Sequence, residues 1–273
     1  MRFKKNVRMT LLYLAFVVIG VAMVFPFIWM IATSFKTGTD IYSLSLLPKK
    51  FTLENYREVL SGSDFPRWFL NSFLVAGITT LSVLVFDPLL GYAFCKYRFR
   101  GKEAIFTMLL STMMIPTEMM IIPWYMMVNQ LGWNNTYWSM LFPGLSSAFG
   151  IFLMRQFFMT IPKDYKEAAV LDGCGEMRFL FHIILPMSKP TISSMAVYLF
   201  VQIYNQFFWP LLVTNTEKMR TIQIGISMLV TGDVVNYGHI LAGAVIAIIP
   251  AMMIYIIGQD YMIRGMTSGG VKG

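Results

Sequence analysis

Charge is scarce in this chain. Only 13% of its 273 residues are Asp, Glu, Lys or Arg, against about 25% in a typical soluble domain. With 56% hydrophobic residues and a mean hydropathy of +0.61, it lacks the polar surface needed to stay in water and reads as a polytopic membrane protein. Cysteine is nearly absent: Cys95 and Cys174 build no disulfide framework, and both are expected reduced. With two histidines and no Cys/His cluster, a catalytic metal site is not expected. Neither H-E-x-x-H nor G-x-S-x-G occurs, which argues against a membrane-embedded enzyme. The phosphate loop G-x-x-x-x-G-K-[ST] is also missing, so the chain itself is not expected to hydrolyse ATP.

What is present is long apolar sequence. A basic flank (Arg2, Lys4, Lys5, Arg8) precedes 27 uncharged residues, 9–35. That run exceeds the 7–15 residues of a signal-peptide core, and no small-x-small cleavage site follows, so an uncleaved first span is expected. A helix crossing the hydrocarbon core needs about 20 mainly apolar residues. Six segments qualify, near 10–33, 68–95, 104–128, 137–157, 190–213 and 240–259, within a single transmembrane domain, 1–273. The stretch LGWNNTY (131–137) separates the third from the fourth. A further run, 221–232, has 12 residues and is too short to span. With both termini cytoplasmic, the inner segments carry 15 Lys and Arg and the outer ones 7, as the positive-inside rule requires. The net charge of +8 is thus explained by topology, and nucleic acid is not an expected partner.

On this topology residues 160–189 form a cytoplasmic loop. Thr160 is expected to cap a short helix, with Pro162 in its first turn and Asp164 and Glu167 near its positive end. Tyr165, Ala168, Ala169 and Asp172 fall on one face of it, and the small alanines admit a close partner surface. Gly173 and Gly175 break the helix; a second one, roughly 176–185, is expected to stop before Pro186.

These residues carry a resemblance. Glu167-Ala168-Ala169, Gly173, Ile183 and Leu185-Pro186 stand at the spacing of the EAA signature of permease subunits of ATP-binding-cassette importers. Asp172, Phe179 and Pro190 fit the sugar-importer version, and Cys174 stands where alanine is common. Stretches 115–125, 152–173, 204–213 and 264–273 are similar to maltose-type sugar permeases, so the likeness covers essentially the whole chain. The resemblance implies an all-α type I importer fold with six transmembrane helices in the bacterial cytoplasmic (inner) membrane. It implies a coupling helix at 167–173 docked on a separate ATPase, which would bind ATP and Mg while this chain binds no cofactor. Further implied partners are a second EAA permease, a second copy of the ATPase and an extracytoplasmic solute-binding protein facing 214–239. The solute would be a sugar or a related polyol or glycerol phosphate.

Polar residues inside spans usually face protein or water. Glu118 lies 15 residues after Glu103, about 22 Å along an unbroken helix, flanked by Pro116 and Pro123. It reads either as part of the path or outer gate, or as a structural carboxylate. Gln202, Asn205 and Gln206 share a face by i, i+3, i+4 spacing, beside Trp209. Amides and flat rings suit a carbohydrate, and equally suit interhelix bonding and an interfacial belt. Asp87 is expected to be structural. The competing function is an ion-coupled secondary transporter, although no convincing internal repeat is visible.

Overall fold

The computed structural model describes residues 2–229 and 236–267. Among them there is no strand. The last three residues of the short run 221–232, part of the loop 214–239, and the end of the tail 264–273 lie outside the described residues. Helix α1 is Arg2–Ser34, α2 Glu54–Ser61, α3 Phe65–Lys96, α4 Lys102–Thr112, α5 Thr117–Gln130, α6 Tyr137–Leu141 and α7 Ala148–Thr160. After these come α8 Asp164–Leu171, α9 Glu176–Phe179, α10 Leu185–Met187, α11 Lys189–Tyr204, α12 Phe208–Val213, α13 Ile222–Met228 and α14 Tyr237–Thr267. Four stretches are long and apolar enough to cross a bilayer, and two bent helix pairs raise the number to six.

The bends have local causes. Residues 104–128, read as one span, are two helices, α4 and α5, at 100° to each other. Pro116 sits at the break with ψ 133°, outside the helical region; it has no N–H to donate and disfavours a helical residue before it. The second bent pair is the helical run Glu176–Met187 with α11, at 73°; α12, read as the end of the span 190–213, is a separate short helix. Helices α6 and α7 are separated by a turn containing Pro143.

The chain forms two compact units, 1–66 with 225–249 and 67–224 with 250–273. In the first, Lys36 is fully buried, a position for a charge that sequence reasoning gave no reason to expect. Its ammonium donates to the Ser43 carbonyl (3.1 Å), Ser43 Oγ (3.3 Å) and the Ser45 carbonyl (2.5 Å). Buried Asn55 donates to the carbonyls of Ser34 and Lys36. Phe35 adds ring contacts with Phe51 and Tyr56, centroids 4.7 and 5.1 Å apart. The Lys49 N–H, donated to Asp40, holds that carboxyl below its ordinary range; the Ser43 hydroxyl and the Lys36 charge add to the effect.

In the second unit α3 crosses α7 closely. A Cβ on Gly91 would lie 2.9 Å from Met154 Cβ and 3.0 Å from the Arg155 nitrogen. Further along α3, Asp87 caps the start of α7. It accepts from the hydroxyls of Ser146 (2.7 Å) and Ser147 (2.9 Å) and from the Ser147 N–H (3.1 Å). Gly150 has no side chain to crowd that carboxylate. Asp87 is therefore structural, as expected, with a helix N-terminus as its partner. Arg155 fixes α7 to α4, stacking 4.0 Å from the Phe106 ring and pairing with Glu103. Toward the Phe65 end of α3, Asn71 donates to the carbonyls of Lys218 and Arg220 and accepts from the Tyr137 hydroxyl. Asn135 adopts φ +58° and gathers the N–H groups of Asn215 and Thr216 on its side-chain oxygen. The separator expected at 131–137 is thus also an anchor for the chain beyond α12.

Gly91→Ala should destabilise the protein by about 1–3 kcal/mol, the usual cost of overpacking. Gly77→Ala on the same helix meets nothing within 4 Å and should be neutral or slightly stabilising. Thermal unfolding in detergent compares the two.

Candidate functional site

The candidate loop, 160–189, begins differently from expectation. Thr160 ends α7 rather than capping α8: its hydroxyl donates back to the Phe157 carbonyl (2.7 Å). Helix α7 continues through it because nothing before Pro162 interrupts the helical bonding. The flanking residue of α8 is Lys163, whose carbonyl accepts from Lys166 and Glu167, and Asp164 and Glu167 lie in the first turn. At the other end Gly173 takes φ +70°. The Cys174 N–H reaches the Ala169 carbonyl (2.8 Å), closing the helix in the manner of a Schellman turn. A side chain at Gly173 would strain that turn.

The second helix does not stop before Pro186. It passes from α9 through a π turn, Leu180–Ile184, into α10 and ends at Met187. The Leu185 N–H bonds Leu180, five residues back. This wider turn directly ahead of the pyrrolidine ring relieves the clash that a regular helix would suffer.

The motif residues separate into two sets. Ala169 (5% exposed) and Phe179 (1%) are buried with Met154, Phe158 and Ile184, and Ile183 and Leu185 pack against them. Glu167, Ala168, Asp172, Gly173 and Pro186 are exposed. The single face expected for Tyr165, Ala168, Ala169 and Asp172 is therefore divided, with Ala169 turned inward and the other three exposed. Beside Glu167 stand Leu171, 88% exposed, and Val170, 58% exposed. Sequence reasoning missed both, because they continue the apolar Ala168-Ala169 and no periodicity sets them apart.

It also missed the bonds that hold the loop. Glu176 accepts hydrogen bonds from the Lys166 ammonium and from the Tyr92 hydroxyl of α3. Lys166 lies over the Phe179 ring, 5.3 Å from its centroid. Opposite charges on either side of a glycine turn hinted at the Lys166–Glu176 pair. Tyr92 is 84 residues from Glu176 and gave no local signal.

The membrane-path candidates are not brought together as one face. Glu118 is exposed in the first turn of α5, and the break before it removes the basis for a 22 Å displacement along one helix. Gln202 is exposed on α11, but that helix ends at Tyr204, Asn205 caps it and Gln206 follows it. The Asn205 side-chain oxygen accepts from Gln223 (3.3 Å). Trp209 is enclosed, at 3% exposure. Its Nε1 donates to the Ser139 carbonyl (2.9 Å) and its ring meets Trp124 edge-on, so it braces α12 against α5 and α6 instead of offering a stacking face.

Glu176→Gln should loosen the loop without exposing a new apolar surface. Amide hydrogen exchange in α8 should accelerate about ten- to 150-fold, the equivalent of losing one hydrogen bond to a charged group. Glu167→Gln, on the exposed face, should leave those rates unchanged.

Comparison with known proteins gives this architecture a family. Residues 87–268 match the binding-protein-dependent transport system inner membrane component. The chain is 32% identical to the arabinooligosaccharides transport system permease protein AraQ of Bacillus subtilis, over 96% of this chain and 95% of that one. It is 33% identical to the trehalose/maltose transport system permease protein MalG of Thermococcus litoralis, over 96% of each. It is 34% identical to the sn-glycerol-3-phosphate transport system permease protein UgpE of Brucella abortus, over 91% of this chain and 93% of that one. Among solved structures, a chain of a bacterial ABC transporter involved in alginate import superimposes with a TM-score of 0.86 at 22% identity, covering 94% of this chain and 97% of that one. Another, of a bacterial alginate ABC transporter in complex with alginate pentasaccharide-bound periplasmic protein, gives 0.65 at 16% identity, covering 97% and 98%. This chain belongs to the family of binding-protein-dependent transport system inner membrane components, the non-enzymatic permease subunits of ATP-binding-cassette importers.

Proposed function

We propose that this permease forms half of the path for a sugar, or a related polyol or glycerol phosphate, and that a separate ATPase drives it by gripping loop 160–189. The observation that carries this reading is the division of the loop. One side of α8 is locked inward by Ala169 and, through Lys166, by Glu176, while Glu167, Ala168, Val170 and Leu171 are left outward. A locked helix presenting a carboxylate beside bare aliphatic side chains has the chemistry of a docking knuckle. Burying Leu171 alone would contribute about 1.5–3 kcal/mol.

The excess of Lys and Arg in the inner segments supports a cytoplasmic position for the loop and both termini. A second permease, two ATPase subunits holding ATP and Mg, and a solute-binding protein at the outer face complete the assembly. The polyhydroxylated solutes named for the relatives support a hydroxyl-rich cargo. Exposed Gln202, Asn205 and Glu118 remain the residues to test for contact with it. Membership of the family does not favour an ion-coupled secondary transporter.

The test is uptake by the complete importer in vesicles. Uptake should need ATP and the binding protein. Glu167→Lys, Leu171→Asp or Gly173→Val should insert normally yet lose coupled transport and retain less ATPase on purification. Uptake driven by an ion gradient alone, or normal transport by all three variants, contradicts the proposal.

A further inference from the structure

A cavity of about 510 Å³ opens where the ends of α3 and α7 approach the start of α8. Its lining combines Lys96, Arg98, Lys102, Lys163 and Lys166 with a single carboxylate, Glu167, and with the apolar side chains of Cys95, Met159 and Ile161. Two of these cations are engaged. Lys166 pairs with Glu176, and Lys102 donates to the Tyr97 carbonyl (3.0 Å). The ion pairs among the described residues involve none of Lys96, Arg98 and Lys163. Lys96 bears on the Glu176 carboxylate, so Arg98 and Lys163 supply the positive charge that no ion pair among the described residues neutralises.

We propose that this cavity holds the phosphate of an anionic phospholipid such as phosphatidylglycerol, seated beside the coupling helix. The inference rests on the cytoplasmic reading of this face proposed above. Helices α3 and α7 end at Lys96 and Thr160 and α4 begins at Lys102, so three apolar segments terminate around the cavity. That is the level of the lipid headgroups, where the cytoplasmic leaflet carries negative charge. A phospholipid supplies both features the lining matches: an anion for Arg98 and Lys163, and apolar chain for exposed Met159 and its neighbour Ile161.

The test uses the assembled importer, permease pair with ATPase subunits, exchanged into detergent containing phosphatidylglycerol or phosphatidylcholine and examined by native mass spectrometry. Phosphatidylglycerol should be retained and phosphatidylcholine should not. In the Arg98→Gln/Lys163→Gln double variant, retention should fall about thirty-fold, taking about five-fold for each basic residue near an anionic surface. Excess inorganic phosphate should compete weakly. Equal retention by the variant and the unaltered complex overturns the proposal. So does full displacement by inorganic phosphate, which would make this a free-anion site. A variant that keeps its lipid but loses its ATPase subunits overturns it in favour of an acidic partner surface. Labelling of Lys163→Cys by an impermeant maleimide in intact cells would instead refute the cytoplasmic reading, a failure distinct from loss of lipid binding.

Discussion

The carboxylate of Glu176 is the point on which the candidate loop depends. It takes hydrogen bonds from Lys166 on α8 and Tyr92 on α3, and so binds two short helices and the end of a long apolar one into a single joint. Neither short helix would persist alone: α8 has 8 residues and α9 has 4, well below the length at which an isolated helix is stable in water. Tertiary packing supplies what length does not. Phe179, Leu180 and Ile184 insert among Tyr92, Met154 and Phe158, and the Glu176 bonds fix the orientation that this packing leaves adjustable. In the proposed function, a push on Leu171 then reaches α3 and α7 without first being absorbed by a flexible loop.

The same economy recurs wherever polar groups lie within apolar surroundings. Asp87 is satisfied by the start of α7, Asn71 by the carbonyls of Lys218 and Arg220, and Asn135 by two successive N–H groups. Each joins segments distant in sequence; Asp87 and Asn71 are fully buried, where an unpaired group would be expensive, whereas Asn135 is only half-buried. Small residues do the complementary work: Gly91 and Gly150 let α3 approach α7, and Gly258 on α14 lies against Val197 on α11.

Much of this was legible in the sequence for physical reasons. Apolar runs near 20 residues mark helices regardless of tertiary context, and the spacing from Glu167 to Pro186 carried the family. The failures have equally definite causes. The bend at Pro116 was visible as a proline but not as 100°, because propensity says where a helix can break and not how far it turns. The helical run from α9 into α10 passed Pro186 because a π turn accommodated the ring, an adjustment no periodicity reveals. Trp209 appeared suited to stacking on a sugar because its type was known and its burial was not. Lys36 and the Tyr92–Glu176 bond were invisible for another reason. The partners that satisfy them are backbone carbonyls or a residue far along the chain.

The central claim is that loop and membrane helix move as one body. Spin labels on Met159→Cys and Met177→Cys, both exposed sites, measure it directly in an assembled importer whose Cys95 and Cys174 are replaced by alanine. The account predicts one distance between the labels, unchanged when ATP binds to the partner subunits. A distance that shifts or broadens with ATP would mean that the loop bends before it transmits force, and would contradict the account.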